Sequence, residues 1–445
     1  MKTGFVLSLA AVTLMLVGNA SMAAGVSSRI GPVEWTQYRM GPTSNAVYRD
    51  PGDQARHALP RHVYQTGAPL RATPVIANGR LYIGNHKTGG LQAFDLVSGR
   101  LLWQNRAPNW VHSEMINADG LLYVGYGDRM FVTSWLRGEG PSGVLALNPD
   151  TGKIVWQFET IGEVMPTPAW VDGTVYVTTG AGELFALNAK TGEVQWQLPL
   201  RTEKIVLDTG LHLAANLPAF VSMSSPHIKN GVLYVGGLDT VFAIDLAEHK
   251  VQWQFSRMAS FTDVPVAISE DGVIVTTGVK VRDQLTRDDI RKYGAVRDDY
   301  HFIYALNPDG SLRWKHLMGP GERQENNTSG APAIADGVVY VGSPYANRMF
   351  AYNVDSGDKL WDYFTGVKIK GPPVIADGMV IFGDTRGTLY VLKADTGKLI
   401  QKRKFPDALA PAGPVIINRN VYIGCQDGNV YSIPLRGLTK EVASR

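Results

Sequence analysis

The chain has 445 residues, with 43 Lys and Arg against 40 Asp and Glu, a formal net charge of +3. A hydrophobic share of 44% against 19% charged residues supplies a large core and excludes a disordered chain. Near-balanced charge with no basic stripe argues against nucleic-acid binding. The single Cys425 excludes an internal disulfide, multi-cysteine zinc sites, iron–sulfur clusters and c-type haem.

Lys2, the apolar run over residues 4–17 and the small residues Ser21 and Ala23 read together as a Sec signal peptide spanning 1–23. Its apolar part is too short to cross a membrane comfortably, and no later run is long enough for a membrane span. No cysteine stands near the cleavage point, so no lipid anchor is expected. The mature chain, 24–445, is expected to be periplasmic or secreted, where a lone cysteine suits the oxidising compartment.

Beyond the signal peptide the sequence repeats itself. Residues 73–103, TPVIANGRLYIGNHKTGGLQAFDLVSGRLLW, return in altered form to end at Trp196, Trp253 and Trp361. Weaker copies end at Trp156, Trp314 and Gln401, and a last one starts at Pro414, making eight. Each copy reads as short strands punctuated by turns. An apolar strand after a Pro meets an Asn/Asp-Gly turn, as at Asn78-Gly79, Asp172-Gly173, Asp336-Gly337 and Asp377-Gly378. Two more strands and a Thr-Gly or Ser-Gly turn follow, with Trp four residues after that Gly. Units of this kind predict an all-β fold: a single eight-bladed β-propeller of four-stranded blades over 24–445. The eighth copy lacks its outer strand, and Gly31 to Trp35 has the missing Gly-to-Trp spacing. The outer strand of the last blade is therefore expected near residues 31–38, closing the ring with the N-terminus.

The segments Ala93-Phe-Asp95-Leu-Val-Ser-Gly99, Ala146-Leu-Asn148-Pro-Asp-Thr-Gly152 and Ala186-Leu-Asn188-Ala-Lys-Thr-Gly192 resemble the PQQ-type propeller repeat, Ala-x-Asp/Asn-x-x-Thr-Gly-x-x-x-Trp. That resemblance covers nearly all of the mature chain. It implies that Trp35, Trp103, Trp156, Trp196, Trp253, Trp314 and Trp361 dock neighbouring blades, and that Gln401 weakens one such contact.

Chemistry in such a ring is expected where the loop from each outer strand reaches the next inner strand, close to the axis. The residues there include Arg71, His112, Glu114, Met165, Ser224, Asp263, Asn327, Ser329 and Lys370. Arg71, His112, Glu114, Asn327 and Lys370 are the candidate binding residues; hydrated loop ends around a water-filled channel are the plainer reading of the same set. Asp263, in Ser260-Phe-Thr-Asp-Val-Pro265, can serve as a general acid or base if Arg71 or Lys370 faces it. The resemblance to quinoprotein dehydrogenases implies a catalytic Asp at a comparable place, with PQQ and Ca²⁺ as cofactors. It also implies an adjacent cysteine pair and a tryptophan beneath the quinone; Cys425 stands alone, and Trp110 and Trp170 lie in no matching motif. No metal site is expected from the scattered histidines. Two inserted loops, 126–142 and 279–300, interrupt the blades; the second mixes Arg282, Arg287, Arg291, Lys292 and Arg297 with aspartates and suits a solvated helix or a partner-docking lid rather than an anion clamp.

Two functional readings follow. The chain is similar to the propeller subunit of outer-membrane barrel assembly, which implies a binding or assembly scaffold with periplasmic or outer-membrane protein partners. It is also similar to quinoprotein dehydrogenases and to the tetrathionate hydrolases of sulfur oxidisers, which implies an enzyme using the central funnel.

Overall fold

The Asn/Asp-Gly pairs at 78–79, 172–173, 336–337 and 377–378 fold as tight turns with both residues at positive φ, for instance Asn78 at 51° with Gly79 at 70° and Asp377 at 46° with Gly378 at 72°. Only Gly, Asn and Asp enter this region cheaply, and its twist matches the flanking strands, so each pair sets one hairpin. The computed structural model describes residues 39, 46–49, 61–86, 88–128, 131–133, 136–200, 224–237, 240–256, 266–280, 291, 299–321, 330–409 and 411–438. All of them belong to one compact unit, Val33–Arg445.

Eight four-stranded antiparallel blades follow one another in chain order. Blade 1 is Val75–Ala77, Arg80–Gly84, Gly90–Asp95 and Leu101–Arg106, from the axis outwards. Blades 2 to 7 begin with the inner strands Ile116–Ala118, Ala169–Val171, His227–Lys229, Ala267–Ile268, Ala333–Ala335 and Val374–Ala376. Blade 8 is Val415–Ile417, Asn420–Cys425 and Asn429–Pro434, with Val63–Gln65 as its outer strand. The all-β eight-bladed propeller is therefore as the repeats predict. Its closing strand is corrected: Val63–Gln65 pairs with Asn429–Pro434 in register Val63↔Tyr431, taking the outer place that Gly31-to-Trp35 spacing assigned to residues 31–38. Residues 31–38, Trp35 among them, lie outside the described residues, as does the signal segment 1–23.

The seams between blades explain the Gly-x-x-x-Trp spacing. The indole of one blade lies over the turn glycine of the next and donates its N–H to a backbone carbonyl there. Trp103 bonds Pro149 O at 2.8 Å, Trp156 bonds Ala189 O at 2.9 Å, Trp253 bonds Pro308 O at 2.9 Å, Trp314 bonds Val354 O at 2.9 Å and Trp361 bonds Ala394 O at 2.8 Å. A Cβ at Gly152 would come 2.4 Å from the Trp103 ring, and one at Gly397 2.6 Å from Trp361, so the glycine makes room for the indole. Trp196 instead stacks on His249, ring centroids 4.6 Å apart. At the seventh seam Gln401 replaces the indole and, in the amide orientation that satisfies both groups, donates to Gly437 O and Leu438 O at 3.1 Å each. At the eighth, His62 takes the indole's place beside Gly99 and bonds Val97 O. Tyr64, fully buried in the closing strand, locks the same seam by donating to Leu96 O at 2.9 Å.

Candidate functional site

One segment departs from the repeat altogether. Val47–Tyr48 runs parallel to the inner strand of blade 7, pairing Val47 with Ile375 and Tyr48 with Ala376, which adds a fifth strand on the axial side of that blade. Ile375 N–H donates to Ala46 O at 2.8 Å. At the lower end of this strand Arg49 pairs with Asp336 at 2.8 Å, and Tyr48 Oη accepts the Arg419 N–H at 3.3 Å. Towards the upper end Arg39, only 2% exposed, donates to Pro332 O and, at 3.2 Å, to Pro373 O, where the inner strands of blades 6 and 7 begin. The same guanidinium acts electrostatically on Glu114 of blade 2 and His227 of blade 4. A side chain that reaches four blades stands on the axis. Arg39 and Val47–Tyr48 thus stand on the axial side of the inner strands, where the repeats alone leave an open passage.

Around Arg39 the starts of the inner strands are stitched blade to blade. Gly413 N–H donates to Thr73 Oγ1 at 3.2 Å, Glu114 N–H to Thr167 Oγ1 at 3.1 Å, and Thr167 N–H to Ser225 Oγ at 3.0 Å. Thr73 hydrogen-bonds the Glu114 carboxyl. Blades 8, 1, 2, 3 and 4 are linked in this way, each using the residue before the strand-opening position. Glu114 occupies a place that holds Thr or Ser in blades 1, 3 and 4. Burial pushes its carboxyl up to about 8, against the opposing pull of the Thr73 hydrogen bonds and of Arg39. Burial, aided by Arg39, drives His227 down to about 3, so this imidazole is neutral at pH 7.

The other residues singled out from sequence divide among three settings. Arg71 and Lys370 are half-buried at equivalent strand-entry positions of blades 1 and 7. His112, half-buried at that position in blade 2, packs edge-on against His86 with centroids 4.2 Å apart, and His86 contacts Trp110 at 4.9 Å. Met165 faces away from any open funnel: its sulfur accepts from Arg137 at 3.5 Å, and Arg137 pairs with the fully buried Glu163 at 3.1 Å. That pair fastens the first inserted loop, whose Asp128 carboxylate accepts the Glu139 and Gly140 N–H groups at 3.0 and 2.8 Å. The first insert is a docked ribbon. Asp263, Asn327, Ser329 and nearly all of the second insert lie outside the described residues.

The sequence reading missed Arg39 and the strand Val47–Tyr48. No repeat signature marks Tyr38-Arg39-Met40, and two paired residues carry no periodicity. Glu114 was legible, since it breaks a run of Thr-Pro and Ser-Pro strand entries.

These residues do not fit PQQ. The axial place beneath the funnel is taken by Arg39, and Trp110 and Trp170 are engaged in packing, the first on His86 and the second against the core between blades 2 and 3. Cys425 is fully buried and donates its thiol to Asp407 O at 3.3 Å, with no second cysteine in the chain. No helix among the described residues is long and apolar enough to cross a membrane.

Comparison with known proteins bears on all three resemblances. The tetrathionate hydrolase of Acidithiobacillus ferrooxidans is 22% identical over 94% of this chain and 89% of its own. The outer membrane protein assembly factor BamB of Yersinia pestis is 24% identical over 78% of this chain and 80% of its own. A europium-containing methanol dehydrogenase superposes with a TM-score of 0.61 at 14% identity, covering 88% of this chain and 89% of that one, a likeness of fold. The family model described as outer membrane protein assembly factor BamB matches residues 21–292 and 300–437. With nearly the whole propeller matched, the chain belongs to the BamB family of PQQ-repeat propellers.

Proposed function

We propose that this chain is an extracytoplasmic binding and assembly scaffold that engages protein partners in the periplasm or at the outer membrane. The observation that carries the reading is the occupied axis. With Arg39 and the strand Val47–Tyr48 placed on the axial side of the ring, the surfaces left for contact are the two loop faces and the outer strands. On the face where inner strands begin, Ile161 is 74% exposed and Phe364 58% exposed, the kind of apolar anchor that partner surfaces cover. The signal segment 1–23 and the relatives named for outer-membrane protein assembly support the same location. The test is a photo-crosslinking residue placed at Ile161 or Phe364 in cells that make the protein, with Val97 on the opposite face as control. Adducts with an outer-membrane barrel-assembly component at the first two positions, and none at Val97, are expected. Equal labelling at all three, or none, overturns the scaffold.

A hydrolase is the second reading, favoured by the relative named tetrathionate hydrolase and by Glu114, which keeps its proton near neutrality beside a guanidinium. Under it Asp263 is the acid or base, and Glu114 positions Arg39. Release of thiosulfate, sulfate and elemental sulfur from tetrathionate and water by the purified mature chain, lost in Asp263→Ala, would establish it.

A further inference from the structure

Three arginines are drawn into the upper part of this ring, and two of them are compensated. Arg137 has the buried carboxylate of Glu163 at 3.1 Å. Arg39 has the carbonyls of Pro332 and Pro373. Arg71, half-buried at the entry to blade 1, has neither a hydrogen bond nor an ion pair among the described residues. Burial lowers the basicity of its guanidinium, and no acid opposes that effect. Drawing a cation partly out of water without a partner is costly, so an anion that reaches Arg71 gains a charge-assisted contact.

The surroundings suit that role. Lys370 holds the equivalent position in blade 7 and His112 the one in blade 2. Blade 8 stands between Lys370 and Arg71, and its entry, Pro411-Ala412-Gly413, carries no charge. The three entries are drawn close: a Cβ on Gly371 would lie 2.5 Å from Ala412 O, one on Gly413 would lie 2.6 Å from Pro372, and Gly413 N–H bonds Thr73 at 3.2 Å. Beside the Arg71 loop, His86 N–H bonds Pro69 O at 3.1 Å, which sets the His86–His112–Trp110 wall against it. Glu114, two residues after His112, is buried and protonated up to about 8, and Asp384 on the blade 7 side accepts from the Arg386 and Thr388 N–H groups and the Tyr390 hydroxyl. Glu114 therefore adds no negative charge beside Arg71 at neutral pH.

We infer that the funnel face carries an anion site centred on Arg71 and flanked by Lys370 and His112, which takes a small oxoanion with two or more acceptor oxygens. A planar guanidinium presents two parallel N–H donors to such a group, whether carboxylate, sulfate or phosphate. The site stands independently of the scaffold reading.

The experiment is thermal unfolding and calorimetric titration of the mature protein with sodium sulfate, phosphate or acetate at constant ionic strength, chloride being the reference. A saturable rise in Tm with at least one of the three is expected, and its identity separates tetrahedral dianion from carboxylate. Arg71→Gln should weaken that binding about tenfold or more, and Lys370→Gln by a smaller factor. Arg436→Gln, on the opposite face, should leave it unchanged. Should Arg71→Gln fail to fold, Arg71→Lys, which keeps the charge and loses the paired donors, should still weaken binding severalfold. No saturable response to any of the three anions, or an unchanged one in the Arg71 variants, overturns the site.

Discussion

At the perimeter of the ring six seams use an indole laid against the next blade's turn, and five of them add one N–H bond to a backbone carbonyl. At the axis the Thr and Ser links between strand entries recur over several blades, but the ionisable groups do not. Arg39, Glu114 and His227 are buried, ionisable and each unlike its counterparts in the other blades. The perimeter admits substitutes, since Gln401 with two hydrogen bonds and His62 with one stand in for the indole at two seams. The axis is charged and specific, because a guanidinium moved out of water must find carbonyls and a carboxyl at fixed positions. The difference teaches that this ring is closed by repetition outside and by a one-time insertion inside.

The largest break in that comparison is at the perimeter. Trp314→Ala removes an indole that is 8% exposed together with its bond to Val354, at a cost of about 3–5 kcal/mol. Urea unfolding at several pH values checks it, and the loss should be the same at each, because no titrating group is removed.

Next comes the axis, where the signs are opposite for its two titrating groups. His227 is held down to about 3 against an ordinary 6.5, as is His301, buried beside Ser343 at 2.8 Å. The unfolded chain therefore binds more protons between these values. Their stabilisation is complete above 6.5 and is lost as pH falls towards 3. Glu114 is raised from 4.5 to about 8, so its contribution is complete below 4.5 and is lost as pH rises through 8. Unfolding free energy measured from pH 4 to 9 should fall on the alkaline side in the native chain, and Glu114→Gln should abolish that fall while leaving the acid limb. A fall that persists in Glu114→Gln assigns it elsewhere.

The smallest expected effect is at the closing seam. His62→Ala removes one hydrogen bond to Val97 and the contact with Gly99, and should cost about 1 kcal/mol, read as a Tm lower by a few degrees. A loss as large as that of Trp314→Ala would show that the closing strand depends on His62 rather than on buried Tyr64.

Most of the fold was legible because its determinants are local. Asn78-Gly79 and its equivalents each dictate a hairpin from two adjacent residues, and Gly152 and Gly192 each stand a fixed distance from a tryptophan. The candidate site was legible only in part. Arg71, His112, Glu114 and Lys370 do stand at strand entries, as their place in the repeat required. Met165 occupies the same place and is turned to Arg137 and Glu163, because the inserted loop supplies a buried ion pair that no repeat contains. The closing strand was misplaced for a related reason. His62 does the work of a tryptophan, so a search for Gly-to-Trp spacing passes over it.

By itself the sequence determined the number of blades, their strand order and the chemistry of most seams, since these rest on turn residues and on spacings within a single repeat. Tertiary structure alone decided what fills the axis and which strand closes the ring. Arg39 meets Pro332 and Pro373 across 293 and 334 residues, and Val63 meets Tyr431 across the length of the propeller. Contacts of that span leave no period in the chain; they exist only once eight blades have bent into a circle and brought its ends together.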